Sequence, residues 1–175
     1  MRKLKNSELG RISVENFKTS KKTPIVVVLD NVRSALNVGS SFRTSDAFRI
    51  EKIYLCGITA TPPNKEIRKS ALGATESVKW EKVEDTESVI KKLKSEGYHI
   101  CAIEQTENSI MLNDFNPAEK PIAVVFGHEV NGVQQSVVDL CNQSIEIPQI
   151  GTKHSLNISV SVGIVIWDLY KNIIG

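Results

Sequence analysis

The sequence predicts an α/β domain in which a mostly parallel sheet is covered by helices on both faces. Short runs of apolar and β-branched residues alternate with polar, helix-like stretches along the 175 residues. Parallel strands that are buried on both faces have this uninterrupted apolar character. Hydrophobic residues form 41% and charged residues 24% of the chain, which is the composition of an ordinary globular domain.

The first half of the chain predicts three strands and one helix. Pro24–Leu29 is a β-branched run bounded by a proline, which is typical of a buried strand. A helix follows over residues 37–48, with Asn37 as its cap. Lys52–Cys56 and the weaker run Val78–Trp80 predict two further strands. A loop is expected between them, since two adjacent prolines in residues 59–65 fit neither regular element.

The second half continues the alternation. Residues 85–96 predict a helix, because Asp85 can cap its start and apolar residues recur on one face. His99–Ile103, Ile122–Phe126 and Ile145–Ile147 predict strands, and a helix over Val133–Cys141 separates the last two.

The C-terminal stretch Ser155–Tyr170 fits two patterns. Ile158, Val160, Val162 and Ile164 alternate as in a strand. One helical face, however, would carry Leu156, Val160, Ile164 and Trp167. The length of the stretch favours the helix.

The charges are distributed unevenly. The whole chain has 22 Lys and Arg against 20 Asp and Glu, a net charge of +2. Residues 1–22 hold seven basic and two acidic residues, a net of +5, and the remainder has a net of −3. We therefore separate a basic N-terminal arm, residues 1–23, from a domain over residues 24–175. Such an arm fits a polyanionic partner, and a solvated tail is the alternative.

Several classes of protein do not fit the sequence. The longest apolar runs, such as Ile25–Leu29, are far shorter than the roughly 20 residues of a membrane span. No apolar segment follows the basic N-terminus, as it would in a secretory signal. Cys56, Cys101 and Cys141 are widely spaced, so we expect buried free thiols and neither a disulfide framework nor a metal site. These features predict a cytoplasmic protein without a membrane span.

Three polar or glycine-containing clusters follow predicted strands, at residues 30–48, 125–133 and 147–163. Ligand sites in open α/β sheets form at the carboxyl ends of strands. No GxGxxG or GxxxxGK[ST] signature for a nucleotide is present. Each cluster alone is also compatible with helix caps and loop residues.

Taken together and in this order, the clusters resemble one family. The patterns are NxGxxxR at Asn37–Arg43, GxExxG at Gly127–Gly132 and IPxxGxxxSLNxSxxxG at Ile147–Gly163. They are similar to the three motifs of the SpoU (TrmH-type) 2′-O-ribose RNA methyltransferases of the SPOUT superfamily. The segment SALGATE, residues 70–76, also resembles that family, and the resemblance covers residues 24–173.

The resemblance implies a parallel α/β sheet with a C-terminal trefoil knot, S-adenosylmethionine as cofactor, and a homodimer with the active site near its interface. The implied reaction is methylation of a ribose 2′-hydroxyl in RNA without a metal ion. Transfer RNA is favoured over ribosomal RNA by analogy with other compact members. The alternatives are a non-catalytic RNA-binding homologue and an unrelated α/β protein.

The resemblance also implies site residues. Arg43 is the catalytic residue, acting either as a base or as a clamp on the target phosphate. The clamp is the less demanding role, because a free guanidinium keeps its proton and its planar fork suits a phosphate. Asn37, Ser155 and Asn157 orient Arg43 and the ribose. Glu129 holds the loop of the second motif through backbone N–H groups.

The implied cofactor-binding residues are Gly127, Ile147, Leu156 and Thr106. Arg33, Arg68, Lys69 and Lys153 are expected to contact RNA. His128 stands in the second motif where small or amide residues are common. Contact with the substrate is one interpretation, and a histidine that faces solvent is the favoured one.

Overall fold

The computed structural model describes residues 1–117 and 120–174, which contain a seven-stranded parallel sheet. Its strands are β1 (Thr23–Asp30), β2 (Ile50–Cys56), β3 (Trp80–Val83), β4 (His99–Ile103), β5 (Ile110–Met111), β6 (Ile122–Phe126) and β7 (Gln143–Glu146). Their order across the sheet is β3-β2-β1-β6-β4-β7-β5, and neighbouring strands are parallel. The predicted fold class is therefore confirmed.

Helices cover both faces of this sheet. They are α1 (Val14–Thr19), α2 (Ala35–Ala47), α3 (Lys65–Ala71), α4 (Ala74–Ser77), α5 (Thr86–Ser95), α6 (Gln135–Val138) and α7 (Ile158–Ile174). Ile25, Val27 and Leu29 of β1 pack in one core with α2, α3, α4 and α7. Val26 and Val28 point to the other face, where α5 and α6 cover them. The two cores follow from the alternation of side chains along a strand.

Strands β4 and β6 have the predicted bounds, because continuous apolar runs define central strands clearly. The predicted strand over Val78–Trp80 begins later in the structure. Val78 is the C-cap residue of α4, and β3 begins at Trp80. The predicted helix over Val133–Cys141 is shortened to α6. The prediction that Asn37 caps this helix is wrong. Ser34 caps α2, and its hydroxyl accepts a hydrogen bond from the Asn37 N–H at 3.3 Å.

The C-terminal stretch is the helix α7, as its length predicts. The face that packs on the core carries Val162, Val165, Ile166 and Leu169, all fully buried. The face expected from sequence lies instead on the outside, where Val160, Ile164 and Trp167 are 49%, 37% and 54% exposed. The helix therefore has two apolar faces, of which only one is covered within the chain.

Part of the basic arm is folded onto the domain. Phe17 of α1 is buried in the core, and α1 contacts α4. The Lys22 ammonium lies 4.5 Å from the centre of the Phe17 ring and donates to the Ser20 carbonyl oxygen at 3.0 Å. Arg2 is paired with Glu8 at 2.8 Å. Residues 14–22 therefore do not form a disordered tail, because Phe17 and Lys22 make contacts that hold this segment in place.

Two of the three cysteines are fully buried, and the third, Cys141, is partly buried. Burial raises the pKa of the Cys56 and Cys101 thiols to about 12. Among the helices described, none combines the length and hydrophobicity that crossing a bilayer requires. The trefoil knot stays a prediction.

Candidate functional site

A cavity of about 450 Å³ opens at the carboxyl ends of β4, β6 and β7. Three of the predicted cofactor-binding residues, Gly127, Ile147 and Leu156, line it. Thr106 does not; Glu104 and Gln105, just before it, line the cavity instead. We call this the central cavity.

The central cavity combines an apolar wall with carboxylates. The apolar side comes from Ile103, Phe126, Ile145, Ile147, Leu156 and Ile158. Glu104, Glu129 and Glu146 also line the cavity. Among the residues that the structure describes, no Lys or Arg lines it. Such a cavity suits a ligand that has an apolar ring system and a positive charge.

Glu129 joins the second motif to the first. Its carboxylate accepts hydrogen bonds from the backbone N–H groups of Arg33 and Ser34, each at 2.9 Å, and from Asn37 Nδ2 at 3.0 Å. Partial desolvation raises the pKa of the Glu129 carboxyl, but these hydrogen bonds outweigh it and hold the pKa below its ordinary value. The two backbone N–H groups that Glu129 binds belong to the segment that leads into α2.

Asn157 joins the third motif to the same cluster. Its Nδ2 donates to Asn37 Oδ1 at 3.3 Å. Its Oδ1 accepts from the Ser159 backbone N–H at 2.9 Å and from the Ser159 hydroxyl at 2.6 Å, which caps the start of α7. Glu129, Asn37 and Asn157 therefore connect all three motifs, although they are far apart in the chain. Ser155 lines the central cavity beside them.

Arg43 lies apart from this cluster. It follows Asn37 by six residues on α2, which places it about 9 Å along the axis and about 240° around the helix. The exposed Arg43 lines a second cavity, the Arg43 groove, which is formed by Ser40, Arg43, Thr44, Ala47, Phe48, Lys69 and Ser70. Within one chain, Arg43 therefore lies on a different face of α2 from Asn37, and it does not line the central cavity.

Close approaches of other atoms explain two of the motif glycines, Gly127 and Gly39. A Cβ on Gly127 would lie 2.1 Å from Gly132 C and from Val133 N, across the loop of the second motif. A Cβ on Gly39 would lie 2.1 Å from Ser70 Oγ and 2.5 Å from the Ile67 carbonyl oxygen. Only glycine therefore allows the loop to fold back on itself and α3 to cross α2 closely.

Two carboxylates hold the end of this loop and are absent from the sequence prediction. Glu104, directly after β4, accepts from the Val133 N–H at 3.0 Å. Asp30, fully buried at the end of β1, accepts from the next N–H, that of Gln134, at 3.0 Å and from the Thr86 hydroxyl at 2.6 Å. Their positions at the carboxyl ends of strands are the only signal in the sequence that points to them.

His128 is also placed differently from the prediction. It lines the central cavity and is only partly exposed. Its Nδ1 accepts hydrogen bonds from the backbone N–H groups of Val130 at 3.0 Å and Asn131 at 3.3 Å. The imidazole thus closes the turn of its own loop.

The predicted RNA-contacting residues are all exposed. Arg33 precedes α2, Arg68 and Lys69 lie on α3, and Lys153 lies in the loop before α7. Lys69 shares the Arg43 groove with Arg43.

Comparison with known proteins places this site in a family. The family described as the SpoU rRNA Methylase family matches residues 24–167. An uncharacterized tRNA/rRNA methyltransferase of Borreliella burgdorferi is 29% identical over 163 residues, covering 91% of this chain and 69% of that protein. The 23S rRNA (guanosine-2′-O-)-methyltransferase RlmB of Blochmanniella floridana is 28% identical over 148 residues, covering 85% and 58%. The chain spans 63% of the length of another relative, from Staphylococcus haemolyticus.

Solved structures agree with this result. The A. aeolicus TrmH/SpoU tRNA modifying enzyme has a TM-score of 0.79 at 26% identity, covering 91% of this chain and 79% of that chain. The AdoMet-bound rRNA methyltransferase of Sinorhizobium meliloti has the same fold, with a TM-score of 0.82 at 24% identity and coverage of 89% and 59%. Since the family match spans most of the sequence and includes all three motifs, this chain belongs to the SpoU rRNA methylase family.

Proposed function

We propose that this protein transfers the methyl group of S-adenosylmethionine to a ribose 2′-hydroxyl in RNA, with transfer RNA as the favoured substrate and ribosomal RNA as the alternative. The observation that carries the proposal is the hydrogen-bonded cluster of Glu129, Asn37 and Asn157, which joins the three family motifs beside the central cavity.

The central cavity fits this cofactor. Its volume of about 450 Å³ lies in the range of small-molecule sites. The apolar wall suits the adenine ring, and Glu104, Glu129 and Glu146 suit the positive charges of the cofactor. Gly127, Ile147 and Leu156 would hold the adenosine. When bound, the cofactor supplies a methyl group that its sulfonium already activates.

The role left to the protein is positioning, which can contribute several kcal/mol to catalysis. Asn37 and Asn157 are fixed to each other and to Glu129, so their remaining polar atoms can orient the ribose. Ser155, beside them, can bind the 2′-hydroxyl. The exposed guanidinium of Arg43 fits the clamp better than the base, because its fork binds a phosphate bidentately.

In a homodimer, Arg43 of one subunit would lie beside the central cavity of the other subunit. The outer face of α7 exposes Val160, Ile164 and Trp167, a stripe typical of a covered interface. Trp167 packs on Phe48 with ring centres 5.8 Å apart, and Phe48 also lines the Arg43 groove. A partner that covers this face of α7 would therefore lie beside Arg43, and we propose that each Arg43 serves the central cavity of the partner subunit.

RNA would contact the exposed basic residues Arg33, Arg68, Lys69 and Lys153. The exposed arm residues can add phosphate contacts, whereas Lys22 is directed to its own backbone. Phosphate contacts of this kind give sequence-independent affinity that falls with salt.

The proposal is tested by incubating the protein with radiolabelled S-adenosylmethionine and unmodified total tRNA or rRNA. Methylation at a ribose makes the adjacent linkage resistant to alkali, so the labelled product should be an alkali-resistant dinucleotide. A protein that binds the cofactor and RNA without transferring a methyl group would be the non-catalytic homologue. A protein that does not bind the cofactor would contradict the proposal altogether.

Gly127→Ala should abolish cofactor binding, because the added Cβ forces the backbone of the second-motif loop apart. At a concentration one hundred times Kd, the cofactor should stabilise the wild type by about 2.7 kcal/mol, seen as a rise in melting temperature. We expect no rise for Gly127→Ala. Gly151→Ala is the matched control, since its Cβ meets nothing within 4 Å, and it should keep the rise.

Trp167→Glu should convert a dimer into monomers, because it places a charge in the exposed stripe of α7 at its most exposed residue. Sedimentation velocity should show a single species near 19 kDa, and methyl transfer should fall at least about tenfold. Asn172→Glu introduces the same charge on another face of α7 and should remain dimeric. A wild-type protein that is already monomeric at micromolar concentration would contradict the dimer.

A further inference from the structure

We propose that His128 is a positioning residue that holds the second-motif loop only while its imidazole is neutral, so that its protonation weakens cofactor binding. The proposal rests on the assignment of the central cavity to S-adenosylmethionine. The geometry that carries it is the pair of backbone N–H groups, of Val130 and Asn131, that donate to Nδ1.

A nitrogen that accepts hydrogen bonds carries no proton. Since Nδ1 accepts from two N–H groups, neutral His128 must hold its proton on Nε2. A second proton would have to enter at Nδ1, where it would face two other hydrogens. The closed turn and the protonated ring therefore exclude each other.

The turn held by His128 shapes the central cavity. His128 and Gly132 close its base through two backbone hydrogen bonds, each of 2.9 Å. Gly127, Glu129 and Val130 of the same loop line the cavity, and Glu129 reaches from it to α2. Loss of the two bonds to Nδ1 would loosen the segment between the cavity and α2.

An amide side chain can perform the same task without a charge. The Oδ1 of asparagine occupies the same place in the side chain as Nδ1 of histidine, and asparagine often binds backbone N–H groups two or three residues ahead. Asparagine does not titrate, whereas a histidine ordinarily changes charge between about pH 5 and 8. Position 128 of this chain therefore carries a proton-sensitive group where an amide would be insensitive.

Other titratable groups near His128 are shared by the wild type and the two His128 variants, so they cancel in that comparison, and His154 is tested by its own variant. Glu104, Glu129, Glu146 and His154 line the same cavity, and Arg33 meets Glu129 through its backbone. The hydrogen bonds that hold the pKa of Glu129 below its ordinary value keep it ionised in weak acid.

The test compares the dissociation constant for S-adenosylmethionine of the full-length wild type, His128→Asn, His128→Ala and His154→Asn between pH 7.5 and 5.5. Wild-type affinity should fall about tenfold more than that of His128→Asn, the effect of losing two backbone hydrogen bonds. His128→Ala should bind more weakly than His128→Asn at pH 7.5, and His154→Asn should retain the wild-type fall. Equal pH profiles for the wild type and His128→Asn would overturn the proposal.

A second measurement does not depend on the cofactor. In ¹⁵N NMR spectra the His128 ring should be protonated on Nε2 at pH 7.5, and the amide signals of Val130 and Asn131 should shift with its titration. A proton on Nδ1 at pH 7.5, or amide signals that ignore the titration, would refute the positioning role. Failure of all variants to bind S-adenosylmethionine would instead refute the proposed function, and the spectra would still decide the state of His128.

Discussion

Arg43→Ala is expected to lower methyl transfer by at least about a thousandfold, because it removes the group proposed to clamp the target phosphate in line with the methyl donor. The affinity for S-adenosylmethionine should stay within about twofold, since Arg43 lines its own groove and not the central cavity. Single-turnover rates and calorimetric binding measure the two effects separately. Near-normal turnover by the variant would show that the assignment of Arg43 is wrong.

Arg43→Lys distinguishes charge from geometry. An ammonium keeps the positive charge but lacks the planar fork, so we expect a loss of at least about a hundredfold. Arg11→Ala is a suitable control, because Arg11 is exposed in the arm, far from α2 in sequence. It should change the single-turnover rate at saturating RNA by less than about twofold.

Mixing two inactive variants tests whether Arg43 acts across the dimer. In a heterodimer of Arg43→Ala and Glu129→Gln subunits, one site combines an intact Arg43 with an intact central cavity. Random exchange of subunits should therefore restore about a quarter of the wild-type sites. If Arg43 serves the cavity of its own subunit, mixing restores nothing.

The central strands were predictable because burial on both faces leaves a direct trace in the sequence. Every residue of Ile25–Leu29 in β1 and of Ile122–Phe126 in β6 is buried, and these runs have no polar interruptions. The two-residue edge strand β5 leaves no such trace and was not predicted. Helix α7 shows the limit of this reasoning. Both of its faces are apolar, so the pattern cannot tell which one meets the core when a partner can cover the other.

The candidate site was predictable in its residue types but not in its pairings. The motifs indicate Asn37, Glu129 and Asn157, yet their hydrogen bonds join residues 92 and 120 positions apart. Those pairings depend on the positions of β1, β6 and β7 in the sheet, because the three residues follow these strands, and local patterns do not encode that order. Asp30 and Glu104 escaped prediction for the same reason, since each is a single acidic residue whose partner N–H group lies in a distant loop.

Glu129→Gln is expected to lower kcat/KM by about a hundredfold, because one side chain then cannot satisfy three donors. The Arg33 N–H binds one carboxylate oxygen, and the Ser34 N–H and Asn37 Nδ2 bind the other. An amide offers a single oxygen, so its NH₂ group would face at least one of these donors. The loss of charge-assisted hydrogen bonds at this position separates the first motif from the second.

The effect should appear as weaker cofactor binding as well as slower transfer, since Glu129 lines the central cavity and also holds Asn37. Glu146→Gln removes the same charge from the cavity without touching α2, and it should lower kcat/KM less than about fivefold. The hydrogen bonds lower the pKa of Glu129, so their contribution is complete above the ordinary carboxyl pKa and is lost as the pH falls through the lowered value. An equal loss in both variants would mean that the charge of the cavity, and not the link between the motifs, is what Glu129 supplies.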